Sequence, residues 1–240
     1  VGQDMTDVNP LPCAWPAGGF KNNMNTPRAL AVDVARFVGE GVAVVIAEDR
    51  YIARDALDLI DVDYEPLAVV VDPEKATHAG APQLHENAPN NVVVEWSAGN
   101  REGTNAAVAS AAVVVKERIV NQRLMPTPME TRGSIARYES STNEFTLWTS
   151  SQAPHVHRLL LTAFVFGIPE TKLRVIAPNV GGGFGQKIFV YQDMVFCMWA
   201  SRKLGRPIKF VEDRSENFKA SSHGRDHVTD VEIAGTRDGK

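Results

Sequence analysis

The segment from Val180 to Lys187 constrains the fold more than any other part of this chain, because four of the five residues at 181–185 are glycine. Glycine lets the backbone adopt a positive φ and lets another group approach the amides without meeting a Cβ atom. A β-branched stretch at 173–177 precedes the segment, and a strongly apolar stretch at 189–204 follows it. We therefore predict a strand, a glycine loop and a helix in succession, with loop amides that can surround a bound anion or oxo group.

Two known phosphate-binding motifs do not fit this loop. The dinucleotide fingerprint G-x-G-x-x-G, counted from Gly181, meets Gln186 where its third glycine should stand. A P-loop requires Gly-Lys-Ser/Thr, and Gln186 interrupts that order as well. The surroundings nevertheless imitate a Rossmann unit, because the predicted strand at 207–212 ends in an acidic residue where a ribose could bind. An NAD-dependent dehydrogenase with a degenerate Rossmann-like unit over 173–212 therefore stays open as an alternative.

Composition and charge narrow the class of protein further. Hydrophobic residues make up 44% of the chain and charged residues 22%, as in ordinary globular proteins. The net charge is −4 and Lys and Arg form no long run, so we expect no nucleic-acid binding. Cys13 and Cys197 lie far apart and in no pattern with histidine, which argues against a disulfide scaffold or zinc site and favours a cytoplasmic location. The longest apolar stretch, 159–168, is too short to span a membrane.

Hydrophobic periodicity predicts an α+β fold. A continuous apolar, β-branched run at 42–47 predicts a strand buried on both faces. Helical spacing follows at 50–59, and a second short strand is predicted at 68–71, which completes a small β-α-β unit. Proline and small residues at 77–91 predict a linker.

Alternating patterns predict strands beyond that linker, at 92–96, 113–120, 134–138 and 145–149. The dipeptide Ser150-Ser151 is predicted to cap a helix at 155–166 that ends at Gly167. The stretch 228–235 also alternates, and Asp238-Gly239 after it is a hairpin signal with no returning strand. We therefore predict that the last strand is unpaired and that the chain is a fragment of a longer protein.

Two motifs occur together in an informative order: SQAPH at Ser151–His155 and VGGGFGQK at Val180–Lys187. With them, the chain resembles the molybdenum-binding large subunit of the xanthine dehydrogenase/aldehyde oxidase family. The resemblance is closest to large subunits of the aerobic carbon monoxide dehydrogenase type. Further segments carry the same resemblance in the same order, at 62–67, 128–133, 146–148 and 207–214.

The resemblance implies a domain organisation and a cofactor. Residues 1–76 would be the C-terminal part of an α/β hammerhead domain, 77–91 a linker, and 92–240 the truncated first part of a molybdopterin-binding domain. The cofactor would be a molybdenum ion held by a pterin dithiolene, expected in its cytosine dinucleotide form. Iron–sulfur and FAD groups are expected on partner subunits, in a dimer of heterotrimers.

The resemblance also implies roles for particular residues. Gln152 would hydrogen-bond an oxo ligand of molybdenum, which suits a side-chain amide because it donates without adding charge. Four consecutive residues of the loop would surround the metal's ligands and the pterin with backbone amides: Gly182, Gly183, Phe184 and Gly185. Gln152 and Phe184 would be the two residues nearest the metal. Independently of the resemblance, Glu130 and Arg132 are interpreted from their sequence context as a structural ion pair rather than as catalytic residues.

The resemblance limits the substrate as well. Purine-oxidising members of the family carry a glutamate after the loop lysine, whereas Ile188 stands there in this chain. Carbon monoxide, aldehydes and N-heteroaromatic compounds therefore remain as candidate substrates. The family's general-base glutamate and the cysteine loop of carbon monoxide dehydrogenases would lie beyond Lys240, so no catalytic residue is assigned here and these 240 residues alone are expected to be inactive. A non-catalytic binding or assembly module with the same fold is the second alternative.

Overall fold

A computed structural model describes residues 1–12 and 23–239 and confirms the mixed α+β class. Cys13 and the Asn- and Gly-rich residues up to 22 lie outside the described part. The strands are β1 Val113–Asn121, β2 Gly133–Glu139, β3 Glu144–Thr149, β4 Leu173–Ile176, β5 Ile208–Val211 and β6 His227–Gly235. The α-helices are α1 Arg50–Leu57, α2 Arg101–Ser110, α3 Pro154–Leu160, α4 Gln192–Leu204 and α5 Arg214–Ala220.

The chain divides into two compact units that are not contiguous in sequence. The first unit consists of Val1–Pro16, Asn25–Leu67 and Met125–Ser222. The second consists of Ala17–Met24, Ala68–Leu124 and His223–Lys240. The domain boundaries 1–76, 77–91 and 92–240 stay predictions.

A four-stranded sheet of order β4-β3-β2-β5 organises the first unit. β2 pairs antiparallel with both β3 and β5, and β3 pairs parallel with β4. Along β3 the side chains of Phe145, Leu147 and Thr149 are buried while those between them are less so, as expected for a sheet with one covered face. Helix α4 covers that face with fully buried residues such as Met194 and Met198, each of which stabilises the fold by about 1.5–3 kcal/mol.

Helix α3 begins and ends close to the positions that the sequence predicts. Pro154 occupies its first turn, where the missing N–H is not needed. The predicted cap at Ser150-Ser151 is wrong, since the N-cap residue is Ala153, and Ser151 uses its hydroxyl to accept a bond from the Ala153 amide and to contact His157. The helix continues as a π-helical segment, Leu161–Phe166, and ends at Gly167 in a left-handed conformation with φ of 61°.

Three predicted strands are absent from the described residues. Neither 42–47 nor 68–71 belongs to a strand. The first of these runs is only partly buried, and the second is mostly exposed. At 92–96 only a bridge at Val94 forms. A strand needs a neighbouring strand to pair with, and the apolar pattern that predicts an extended backbone does not supply one.

The second unit contains a two-stranded antiparallel ribbon of β1 and β6. The prediction of an unpaired last strand is wrong, because β6 pairs with β1 along its whole length, from Val113 opposite Gly235 to Asn121 opposite His227. A turn does form around Asp238, with the Gly239 amide 3.1 Å from the Thr236 carbonyl oxygen. Helix α2, which the pattern does not predict, begins at the side-chain cap that Asn100 provides. Among residues 1–12 and 23–239 we find no helix with the length and apolar character of a membrane span.

Candidate functional site

The glycine loop connects β4 to α4 in a backbone conformation that requires most of its glycines. Gly182 and Gly185 have φ values of 94° and 86°, in the left-handed region that a Cβ atom disfavours. Phe184 shares this region with φ of 52°, although it carries a large side chain. The residue is 74% exposed. An exposed aromatic residue held in a costly conformation is typical of a functional site.

Gln152 is held against this loop by three hydrogen bonds. Its side-chain Oε1 accepts from the backbone amides of Gly185 and Lys187, each at 3.1 Å. Its own backbone amide donates to the Lys187 carbonyl oxygen at 3.0 Å. Because only the oxygen of a side-chain amide can accept, these contacts fix which way the amide group faces. The Nε2 donor is left without a partner among the residues that the structure describes.

Gly183 is where the loop and Gln152 come closest. A Cβ atom at this position would lie 2.3 Å from Oε1 of Gln152, a distance that non-bonded atoms do not reach. Its φ is not in the positive range, so the close approach rather than the backbone conformation requires glycine here. The structure thus brings the predicted site residues together: Gln152 contacts Gly183 and Gly185, and Gly182 and Phe184 belong to the same turn. Their roles toward a cofactor stay predictions.

Glu130 and Lys187 form an ion pair beneath the loop that the sequence does not predict as a pair. Lys187 is fully buried, and its Nζ lies 2.7 Å from Oε2 of Glu130. The same oxygen accepts from the Gly181 amide at 2.8 Å. Burial raises the pKa of the Glu130 carboxyl, but the Lys187 ammonium and the Gly181 amide outweigh it and hold the pKa below its usual range. Glu130 is therefore ionised at neutral pH.

Arg132 lies in a separate buried cluster. Its guanidinium donates to both oxygens of Glu212 and, at 3.2 Å, to Asp193, and it stacks on the ring of Tyr191 at 3.7 Å. Arg132 and both carboxylates are almost completely buried. The predicted ion pair of Glu130 and Arg132 is wrong in its partners, because each residue forms ion pairs with other residues instead.

His157 connects the residue before Gln152 to the end of the glycine loop. Its Nε2 lies 2.7 Å from the Ile188 carbonyl oxygen, which can only accept, so Nε2 carries the proton. Its Nδ1 then accepts from the Ser151 hydroxyl at 2.9 Å. Burial lowers the pKa of His157, which keeps the ring neutral. In the described part of the chain no group of three or more His, Cys, Asp or Glu side chains could hold a metal ion.

Family models match most of the chain. A molybdopterin cofactor-binding domain matches residues 84–240, and the aldehyde oxidase and xanthine dehydrogenase a/b hammerhead domain matches residues 7–68. The chain therefore belongs to the xanthine dehydrogenase/aldehyde oxidase family of molybdenum hydroxylases, as the motifs around Gln152 and the glycine loop indicate.

Individual relatives agree with this assignment. The carbon monoxide dehydrogenase large chain of Afipia carboxidovorans is 43% identical over 88% of this chain and 27% of its own length. The nicotine 6-hydroxylase large subunit of Paenarthrobacter nicotinovorans is 39% identical over 88% of this chain and 26% of its own. The chain thus spans about a quarter of the length of these relatives.

Solved structures show the same fold. Reconstituted CO dehydrogenase from Oligotropha carboxidovorans superposes with a TM-score of 0.85 at 38% identity, over 99% of this chain and 30% of that one. Quinoline 2-oxidoreductase from Pseudomonas putida 86 superposes with a TM-score of 0.82 at 36% identity, over 98% of this chain and 29% of that one.

Proposed function

We propose that Gln152 and the loop from Gly182 to Gly185 hold part of a molybdenum–pterin cofactor. The complete protein would then be the large subunit of a molybdenum hydroxylase that oxidises a small substrate with an oxygen atom derived from water. The single observation that carries this proposal is the fixed amide of Gln152. Two backbone donors occupy its oxygen, and its Nε2 is left to donate to a group that the described residues do not contain.

The residues present fit such a group. Gln152 packs so closely on Gly183 that a Cβ atom there would lie 2.3 Å from its Oε1, and Gly182 and Gly185 adopt positive φ values and add no side chain of their own to the loop. The molybdenum cofactor, when bound, would supply the Lewis acid and the electron acceptor for the oxidation. Gln152 would orient it by donating from Nε2 to an acceptor in its ligand sphere, without changing its charge.

Phe184 would contribute an apolar surface on the same loop. Its exposed ring lies over Gly182, where a Cβ atom would come within 3.2 Å of the ring. A ring in this position excludes water from one side of a bound group and accepts a flat or apolar substrate by contact. No residue of this chain is assigned a catalytic proton transfer.

The finer features of the proposal come from the relatives. Their names include carbon monoxide dehydrogenase, nicotine 6-hydroxylase and quinoline 2-oxidoreductase, which supports carbon monoxide or an N-heteroaromatic compound as substrate, with aldehydes retained. The terms "large chain" and "large subunit" support an assembly with further subunits, for which we propose iron–sulfur and FAD subunits in a dimer of heterotrimers. The cytosine dinucleotide form of the pterin and a cytoplasmic location are proposed with it.

The proposal is tested by the molybdenum and pterin content of the complete protein that contains this chain. Gly183→Ala places a Cβ atom 2.3 Å from Oε1 of Gln152 and must displace that side chain, so we expect cofactor content to fall about tenfold or more. Gly224→Ala is the matched control, because Gly224 has open space around its Cβ position and no positive φ, and it should leave the content unchanged. Wild-type protein without molybdenum or pterin would contradict the proposal and favour the non-catalytic module. Saturable NADH binding that Gly183→Ala abolishes would favour the dehydrogenase.

A further inference from the structure

We infer that Glu130 is a positioning residue that sets the shape of the glycine loop, and through it the orientation of Gln152, by means of Lys187 and Gly181. The inference concerns the conformation of the loop. It rests on the proposed function only for the identity of the group that the loop binds. It predicts that a residue 22 positions before Gln152 controls that amide without touching it.

Glu130 contacts both ends of the loop at once. At the start of the loop its Oε2 accepts from the Gly181 amide at 2.8 Å, and its backbone amide donates to the Gly181 carbonyl oxygen at 3.3 Å. At the end of the loop the same Oε2 lies 2.7 Å from Nζ of Lys187. One carboxylate oxygen therefore closes residues 181–187 into a ring. The approach at Gly181 is so close that a Cβ atom there would lie 2.6 Å from Cβ of Glu130.

The burial of Lys187 makes its contact with Glu130 important for the conformation of the loop. Its side chain is fully buried, and Glu130 is its one carboxylate partner among the described residues. A buried ammonium without a countercharge is strongly unfavourable, so Lys187 follows the position of Glu130 or leaves its site. The Glu130 side chain is about one-third exposed, so the carboxylate keeps contact with solvent while the ammonium does not.

Lys187 also transmits the position of Glu130 to Gln152. Its backbone amide donates to Oε1 of Gln152, and its carbonyl oxygen accepts from the Gln152 backbone amide. Glu130 thus fixes the side chain of Lys187, and the backbone of Lys187 fixes Gln152. If Lys187 shifts, Oε1 of Gln152 loses the hydrogen bond that it accepts from the Lys187 amide. The Gly185 amide is then the one remaining donor to Oε1, so the direction of Nε2 is less well defined.

The experiment measures backbone amide exchange in the complete protein from cells grown without added molybdate, resolved to single residues by mass spectrometry with gas-phase fragmentation. Removal of the carboxylate in Glu130→Ala should accelerate exchange at Gly181, Gly185 and Lys187 about tenfold or more, because each amide loses its acceptor directly or through Lys187. The Leu147 amide in β3, which lies in the sheet ladder, should be unchanged.

A double variant separates positioning from simple loss of stability. In Glu130→Ala/Lys187→Met no unpaired ammonium is buried, so the loop end can stay in place. Exchange at Gly185 and at position 187 should return to within about threefold of wild type. Amide exchange at Gly181 should stay fast, because the carboxylate that accepts from this amide is still missing. Glu130→Gln, which keeps an oxygen acceptor, is the milder variant if Glu130→Ala does not fold. It should accelerate amide exchange at Gly185 and Lys187 more than at Gly181.

Glu144→Gln serves as the control for loss of a glutamate–lysine pair. Glu144 pairs with Lys172 at 3.5 Å with both side chains at the surface, and its loss should leave the loop amides unchanged. Unchanged exchange at Gly185 and Lys187 in Glu130→Ala, or an equal acceleration at Leu147, would overturn the inference. Absence of molybdenum from wild-type protein would contradict the proposed function alone, since the exchange pattern does not depend on the cofactor.

Discussion

The buried cluster around Arg132 and the exposed ribbon of β1 and β6 use the same kinds of charged side chain in opposite environments. In the cluster, Arg132 meets Asp193 and Glu212 with all three side chains at most 3% exposed. In the ribbon, the cross-strand pair of Lys116 and Glu232 is 71% and 36% exposed. Each arrangement forms ion pairs at hydrogen-bonding distance, so the distance between the charges does not distinguish them.

The difference lies in what happens when one partner is lost. In the ribbon, water replaces the missing charge, and such pairs contribute about 0–1 kcal/mol. In the cluster water has no access, and the remaining carboxylates would be buried without a countercharge. The cluster therefore also carries additional hydrogen bonds: Ser134 donates to Asp193 at 2.6 Å, and Asn217 donates to Glu212 at 2.7 Å. These contacts join β2 to α4, and α5 to the residue that follows β5.

The largest expected effect comes from Arg132→Met, which keeps much of the side-chain volume and removes the charge. Two buried carboxylates lose their cation, and we expect the free energy of unfolding to fall by about 3–5 kcal/mol. Chemical denaturation of the full chain measures this change. Arg137→Met is the control, because Arg137 pairs with Glu139 at the surface, and a similar loss in both variants would contradict the distinction between buried and exposed pairs.

A second effect concerns His157, which burial keeps neutral by lowering its pKa. Because the folded-state pKa lies below the unfolded value of about 6.5, the stability that this residue contributes is complete above that value. It is lost as the pH falls from there through the folded-state pKa. The unfolding midpoint of wild type should therefore decrease between pH 7.5 and 5 more than that of His157→Gln. His155→Gln, at an exposed histidine two residues away, should leave the pH dependence as it is in wild type.

The smallest expected effect is in the ribbon. Lys116→Ala removes an exposed pair and should change the free energy of unfolding by about 0–1 kcal/mol, a difference that disappears near 1 M salt because the Debye length there is about 3 Å. Denaturation at low and high salt measures it. A loss as large as that of Arg132→Met, or one that salt does not change, would show that exposure is not what separates the two regions.

Local signals were enough to predict the glycine loop of the candidate site. Four glycines in five residues indicate a loop that lets another group approach, and Gly183 does so at Gln152. One helix end was also predictable because a single residue determines it: Gly167 adopts the left-handed conformation of a helix C-terminus. In each case the structure depends on the residue itself.

Features that depend on distant partners were not predictable in this way. The pair of Glu130 and Lys187 joins residues 57 positions apart, and no periodic pattern connects them. The run at 42–47 has the composition of a buried strand but no paired neighbour among the described residues, whereas β6 pairs with β1 where no partner was expected. Pairing is decided by where other segments lie, which hydrophobic patterning does not report.

The backbone at Phe184 has a consequence for how this loop can vary. A side chain in the left-handed region costs about 1–2 kcal/mol relative to glycine, and its neighbours on both sides are glycines already. A sequence selected for stability alone would have glycine at this position as well. Phe184 instead lowers the stability of the protein and keeps a benzyl group at the surface. Stability and function therefore impose opposite requirements at this residue.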